Sequence, residues 1–173
     1  MAIDQGAPYA SGCGSLYRYE KEAEAKVLGG MSIPNGIAFS PDNRVMYHID
    51  TPTRRIDSYS FDVETGSLSG KKTAVRVKRA GNPDGMTIDC DGMLWVALWG
   101  GRGVARYNPL TGEELQFVQV PDQNVSCCTF GGEEGDVLYI TTAEDEEGNG
   151  GFLYEWKAGV KGSEPYRFRE RRE

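Results

Sequence analysis

The sequence lacks the features that mark several common functional classes. No apolar run approaches the roughly 20 residues that a transmembrane helix needs. The segment from Met1 to Gly14 lacks the basic and apolar regions of a signal peptide, so we expect a cytoplasmic protein. Acidic residues outnumber basic ones by 26 to 19, which gives a net charge of −7. Because nucleic-acid phosphates and anionic membranes both attract basic surfaces, we expect neither as a partner.

Cysteine and histidine are both scarce. The four cysteines show no CxxC spacing and include the adjacent pair Cys127 and Cys128, which predicts reduced, mostly buried thiols. His48 is the only histidine, so a Ser-His-Asp hydrolase would have to use it. Because His48 lies inside a strand-like run with no nucleophile motif nearby, we do not expect that chemistry.

Helical patterns are almost absent as well. Residues 20–25 contain helix-forming side chains, but the segment is too short to form a helix alone. What the sequence does contain is 23 glycines that separate short apolar runs. This pattern predicts many turns and therefore many strands.

Three segments of the chain repeat the same pattern. Each is a short apolar run, a polar turn and a second run rich in β-branched and aromatic residues, which is typical of a β-hairpin. The equivalent positions in the three segments are Asn35, Asp84 and Ser126. A period of roughly 40–50 residues, with several strands in each unit, predicts the blades of a β-propeller.

Further strand-like runs complete the units and define their bounds. We expect one partial propeller domain of about three and a half four-stranded blades. Its parts are a half-blade at residues 14–30, blades at 31–80, 81–121 and 122–168, and a polar tail at 169–173. Closed rings have about four to eight blades, so we expect partner blades to be missing and unpaired sheet faces to favour self-association.

Two polar residues stand where a propeller presents its ligands. The first strand of each blade lines the central channel, and Asn35 and Asp84 head that strand in neighbouring units. Both side chains supply oxygen, which Ca²⁺ and Mg²⁺ prefer, and a carboxylate also suits Zn²⁺. The alternative is structural, because Asn-Gly and Asp-Gly pairs also form turns.

Three other segments carry weaker signals. Residues 89–92, DCDG, resemble the start of a calcium loop but lack its later ligands, so a hairpin turn is the better interpretation. Residues 100–103, GGRG, lack the Lys and the strand-to-helix setting of a phosphate loop. Residues 144–149, EDEEGN, are interpreted as a solvated acidic loop.

Several ordered motifs resemble one known family. Residues 32–42, SIPNGIAFSPD, and 47–57, YHIDTPTRRID, are similar to consecutive stretches of the regucalcin/gluconolactonase (SMP-30-like) family. Residues 83–97, PDGMTIDCDGMLWVA, and 126–132, SCCTFGG, resemble two later ones. The resemblance extends from about Gly14 to Tyr166, which is nearly the whole chain.

The resemblance implies a six-bladed ring and a specific chemistry. A divalent cation (Ca²⁺ or Zn²⁺, or else Mg²⁺ or Mn²⁺) would bind Asn35 and Asp84 at the channel mouth, and the substrate would be a small sugar lactone. Asp84 would also accept a proton from the attacking water. The family's third ligand, a Glu, and its substrate-contacting Arg and Asn fall in segments that this chain does not contain. We therefore expect little turnover by the chain alone.

Two other interpretations remain open at this point. The chain could be a non-catalytic calcium-binding or interaction fragment of a propeller, which the missing Glu, Arg and Asn favour. It could also be a truncated gene product. Cation affinity without lactone turnover would indicate the first of these.

Overall fold

The computed structural model describes residues 11–20 and 23–166, and strands dominate these residues. The strands are β1 (Gly14–Glu20), β2 (Ala23–Met31), β3 (Pro34–Phe39), β4 (Val45–Asp50), β5 (Arg55–Asp62), β6 (Ser67–Arg76), β7 (Asn82–Ile88), β8 (Leu94–Trp99), β9 (Gly103–Tyr107), β10 (Glu114–Gln119), β11 (Asn124–Gly131), β12 (Val137–Ala143) and β13 (Leu153–Lys157). Within the described ranges, the only helical element is a 3-10 turn at Thr51–Thr53. None of these residues forms a helix that could cross a membrane. The predicted all-β fold class is confirmed.

Consecutive strands pair antiparallel into blades. β1 and β2 form a half-blade, β3–β6 and β7–β10 form four-stranded blades, and β11–β13 form a three-stranded blade. A backbone bridge between Trp99 and Asn124 joins the second blade (β7–β10) to the third blade (β11–β13). The expected incomplete propeller is thereby confirmed, while the tail at 169–173 lies outside the described residues.

The chain leaves the third blade after β13 and returns to the second. The Cys90 N–H donates to the Lys161 carbonyl (2.9 Å), and the Ser163 N–H donates to the Ile88 carbonyl (3.1 Å). A side chain at Gly162 would overlap Phe130, so residues 161–163 pack closely against β11. The Gly162 N–H donates to the Gly135 carbonyl (2.9 Å) in the turn between β11 and β12. Residues 161–163 therefore connect the third blade to the second instead of adding a fourth strand to the third.

Side-chain packing between blades forms two apolar cores. The core between the first and second blades includes the fully buried side chains Ile49, Ile56, Leu94, Val96 and Leu98. The core between the second and third blades includes Trp95, Val104, Val125, Leu138 and Ile140. Burying each aliphatic side chain of this size contributes about 1.5–3 kcal/mol. These cores hold together blades that share almost no backbone hydrogen bonds.

Asp89 stabilises the turn between β7 and β8 and is fully buried. One carboxylate oxygen accepts the N–H groups of Asp91 and Met93 (3.0 and 2.9 Å). The other accepts from the Trp95 indole (2.9 Å) and the Arg106 guanidinium (2.8 Å). Because both oxygens are occupied, residues 89–92 form a structural hairpin turn, as the sequence predicted.

The cysteines differ from the sequence-based expectation. All four are free, but Cys13, Cys90 and Cys127 are exposed and only Cys128 is buried. The prediction of mostly buried thiols is therefore wrong. The reason is local: Cys13 precedes β1, Cys90 lies in a hairpin turn, and Cys127 directly follows the bulge at the start of β11.

The first strand of each blade, which we call the inner strand, is bulged near its start in β3, β7 and β11. The extra residue of the bulge falls between Pro34 and Ile37 in β3, between Pro83 and Met86 in β7, and between Val125 and Cys127 in β11. A bulge adds one residue to one strand of a pair and redirects its side chain. The three bulges therefore repeat at Asn35, Asp84 and Ser126, the positions that the sequence repeat made equivalent.

Glycine allows these bulged strands to approach one another closely. A Cβ atom on Gly36 would lie 2.7 Å from both the Asp84 carbonyl oxygen and the Met86 Cβ. A Cβ atom on Gly85 would lie 2.8 Å from the Cα of Cys127. Both distances are too short for non-bonded carbon and oxygen atoms, so a larger residue would push the strands apart.

We predict that Gly36→Ala destabilises the protein by about 1–3 kcal/mol, because the clash involves the backbone of β7. Gly29→Ala is the matched control, since its Cβ would meet chiefly the mobile end of the Lys26 side chain. Urea denaturation of both variants measures the difference. Equal stabilities would show that the inner strands can separate freely.

Candidate metal centre at the heads of the inner strands

Asn35 and Asp84 occupy equivalent places in neighbouring blades. Asn35 is the second residue of β3 and Asp84 the third residue of β7, and both side chains are half-buried. The close approach at Gly36 puts the backbone of Asp84 directly against β3. The bulge in each strand thus places an amide and a carboxylate side by side.

The carboxylate of Asp84 is electrostatically unusual. Burial raises its pKa to about 6, and interaction with the Asn35 side chain lowers it in part. Within residues 11–20 and 23–166, no basic side chain forms an ion pair with Asp84. A desolvated carboxylate without a positive partner costs free energy, which a bound cation would offset.

Thr51 connects the two strand heads. The Asn35 side-chain amide donates to the Thr51 hydroxyl (3.2 Å), and that hydroxyl donates to the Pro83 carbonyl (2.8 Å). Thr51 opens the 3-10 turn after β4. Sequence reasoning missed this residue, although it lies within residues 47–57, one of the stretches that carried the family resemblance.

The third strand head is arranged differently. Ser126 shares a hydrogen bond of 2.9 Å with the Thr141 hydroxyl of β12. Next to it, desolvation and the negative charge of Asp84 raise the pKa of the Cys127 thiol. Ser126 is therefore engaged within its own blade, while Cys127 lies near the carboxylate.

The donor set fits a hard divalent cation in part. An amide oxygen and a carboxylate are ligands that Ca²⁺ accepts, and Ca²⁺ takes six to eight oxygens. In the part of the chain that the structure describes, no three His, Cys, Asp or Glu side chains are grouped to hold a metal. These residues could therefore supply two protein ligands, with water or further groups completing the shell.

The other sequence candidates lie elsewhere. His48 is 4% exposed, and burial lowers its pKa. It faces a cleft between β2 and the first blade together with Asp57 and Lys71, and that cleft includes neither Asn35 nor Asp84. In the acidic loop, the Asp145 carboxylate accepts the N–H groups of Glu147 and Asn149 (3.0 and 2.8 Å). The Asp145 carboxylate therefore already binds backbone N–H groups of its own loop.

The fold and the site together define a partial β-propeller with oxygen donors at the heads of adjacent inner strands. The model of the family described as the SMP-30/gluconolactonase/LRE-like region matches residues 1–144. The chain therefore belongs to this family, which confirms the resemblance found in its motifs.

Individual relatives agree with this assignment. A Bacillus subtilis protein named as a candidate sugar lactone lactonase is 42% identical over 134 residues, covering 76% of this chain and 46% of its own. Regucalcin of Homo sapiens is 35% identical over 167 residues, covering 90% and 56%. The calcium-binding protein regucalcin of Agrobacterium tumefaciens superposes with a TM-score of 0.81 at 29% identity, covering 91% and 56%. The chain spans about half the length of the curated relatives that it matches.

We predict that Asp84→Asn stabilises the metal-free protein. Because the folded-state pKa is raised to about 6 from 3.8, ionisation penalises the fold increasingly as the pH rises between these values. Well above pH 6 the penalty is complete, and we expect a gain of about 1–2 kcal/mol at pH 8 after allowing for partial exposure. No gain is expected at about pH 3.5, below both values. Urea denaturation with a chelator present measures both.

Asp62→Asn is the control with the opposite sign. Hydrogen bonds from the backbone N–H groups of Thr65 and Glu64 lower the pKa of Asp62, so its charge favours the fold above its usual pKa. This substitution should not stabilise the protein at pH 8. A similar gain in stability from both substitutions would show that the loss of one negative charge, and not the burial of Asp84, causes the effect.

Proposed function

We propose that this chain carries part of the active site of a divalent-cation-dependent hydrolase of small sugar lactones. The observation that carries the proposal is the half-buried Asp84 carboxylate, which has the Asn35 amide beside it and no ion-pair partner among the described residues. Membership of the SMP-30/gluconolactonase/LRE-like family supports the same chemistry. The named lactonase and regucalcin relatives add to this support.

Asn35 and Asp84 would bind the cation through the amide oxygen and the carboxylate. When bound, the cation supplies Lewis-acid polarisation of the lactone carbonyl and a lower pKa for a nearby water. Ca²⁺ and Zn²⁺ are the leading candidates, with Mg²⁺ and Mn²⁺ as alternatives that take the same oxygen donors. The family resemblance implies that a Glu completes the protein ligands.

Asp84 has a second role as proton acceptor. A carboxylate held next to the attacking water can take the proton that the water loses. The Asn35 amide oxygen can bind the cation, but the amide is neutral and cannot accept that proton. The two residues therefore differ in function although they occupy equivalent positions.

We predict that the two substitutions fail in different ways in a full-length form with a complete ring. Asp84→Ala should abolish lactone hydrolysis, because it removes a ligand and the proton acceptor together. Asn35→Ala should mainly weaken cation binding, so a high cation concentration should restore part of its rate. Acid release from an aldonolactone, with the cation titrated, measures both.

Asp91→Asn provides the control, because Asp91 is an exposed carboxylate in the turn beside Arg106. Its rate should match that of the unchanged protein. An active Asp84→Ala variant would show that Asp84 is a turn residue and would defeat the proposal. Cation binding without turnover in the full-length form would support the alternative of a non-catalytic calcium-binding propeller. The present chain alone should show little turnover.

We also infer a cytoplasmic location. All four cysteines of the chain are free in the structure, and Cys13, Cys90 and Cys127 are exposed. Exposed free thiols are typical of proteins kept in a reducing compartment, because an oxidising one would convert them to disulfides. The exposed thiols therefore support the location that the sequence predicted.

A further inference from the structure

We propose that Thr51 is a positioning residue that sets the orientation of the Asn35 side-chain amide and so makes its oxygen available to a cation. The inference rests on the proposed cation site at Asn35 and Asp84. Thr51 lies between the two strands that supply these ligands and hydrogen-bonds to both. It has no ionisable group, so its role would be purely geometric.

The direction of the hydrogen bonds determines the amide orientation. The Pro83 carbonyl can only accept, so the single proton of the Thr51 hydroxyl is committed to it (2.8 Å). The Thr51 oxygen must then accept from Asn35, which places the NH₂ group of the amide on the Thr51 side (3.2 Å). The Asn35 oxygen is thereby directed away from Thr51, the orientation in which it could bind a cation at the proposed site.

The backbone around Thr51 holds its hydroxyl in place. The Thr51 N–H donates to the Ile33 carbonyl (3.1 Å). The neighbouring Asp50 carboxylate accepts the N–H groups of Ser32 and Ile33 (3.1 and 2.8 Å). These bonds join the segment before β3 to the turn after β4. Because threonine is β-branched and its side-chain rotation is restricted, the hydroxyl has little freedom to turn.

Loss of this hydroxyl would leave the amide with a competing partner. The Asp84 carboxylate is that partner, because β3 and β7 approach each other closely at Gly36 and Asp84. Without Thr51 as an acceptor, the NH₂ group gains most by donating to that carboxylate, because hydrogen bonds to a charged acceptor are stronger. The amide hydrogens would then occupy the space that a cation needs. Thr51 therefore offers the NH₂ group an acceptor other than that carboxylate.

Three single substitutions test the proposal through cation affinity. Mn²⁺ binding, followed by the electron paramagnetic resonance signal of the free ion, should weaken by about tenfold or more in Thr51→Val. Thr51→Ser keeps the hydroxyl and should bind within about threefold of the unchanged protein, the difference reflecting its freer rotation. Thr53→Val is the matched control, since the Thr53 hydroxyl donates to the Asp50 carbonyl (2.7 Å) in the same turn without touching Asn35. It should bind Mn²⁺ normally.

A double substitution separates positioning from a general structural effect. In an Asn35→Ala background there is no amide to orient, so Thr51→Val should weaken Mn²⁺ binding no further. Additive losses, or an equal loss in Thr53→Val, would overturn the proposal. Circular dichroism and thermal melting of the metal-free variants verify that each one is folded. If Thr51→Val melts at a lower temperature than the unchanged protein, Thr51→Ser decides the question. Failure of the serine hydroxyl to restore Mn²⁺ affinity would contradict the proposed role of the Thr51 hydroxyl.

The same titrations distinguish this inference from the proposed function. All variants are made in the full-length form, which would supply the remaining ligand. If the unchanged full-length protein binds no Mn²⁺, or if Asp84→Ala binds it equally well, the cation site is wrong and the role of Thr51 fails with it. If Asp84→Ala loses binding but Thr51→Val binds normally, only the role of Thr51 is wrong. Support for both requires that Asp84→Ala and Thr51→Val lose affinity while Thr53→Val retains it.

Discussion

The close approach of the inner strands is the constraint on which the candidate site depends. Gly36 lies against the backbone of Asp84, and Gly85 lies against Cys127, with no room for a Cβ atom at either contact. Only at this separation can one threonine side chain hydrogen-bond both to Asn35 and to the Pro83 carbonyl. Gly36 therefore sets the distance between the strands that carry the two proposed ligands, and Gly85 sets the distance between β7 and β11.

The stability of the protein is concentrated away from this site. The two inter-blade cores and the fully satisfied carboxylate of Asp89 supply favourable packing and hydrogen bonds. Asp84 is the contrasting carboxylate, since burial raises its pKa without an opposing positive charge. A residue that costs stability in an otherwise well-satisfied fold is commonly retained for function.

Much of the fold and part of the site could be predicted from the sequence. The hairpins repeat with a regular period, so the strands and the equivalence of Asn35, Asp84 and Ser126 followed from pattern alone. The bulges could not be predicted, because a single extra residue in a strand leaves the local composition unchanged. Thr51 was missed because its role depends on a contact between different blades. The path of residues 161–163 was missed for the same reason, since their partners lie a whole blade and more earlier in the chain.

The pairing pattern has a consequence for how the chain folds. Nearly every strand pairs with its neighbour in sequence, and the bridges Trp99–Asn124 and Asp89–Gly162 join the second and third blades through the backbone. Most hydrogen bonds therefore close short loops, which gives low contact order for an all-β protein and favours rapid formation of individual blades. The later and slower event is the docking of preformed blades through their apolar faces, as in other repeat proteins. The hydrogen bonds from the Cys90 N–H to the Lys161 carbonyl and from the Ser163 N–H to the Ile88 carbonyl can form only after that docking, so the amide protons of Cys90 and Ser163 should gain protection from hydrogen exchange last.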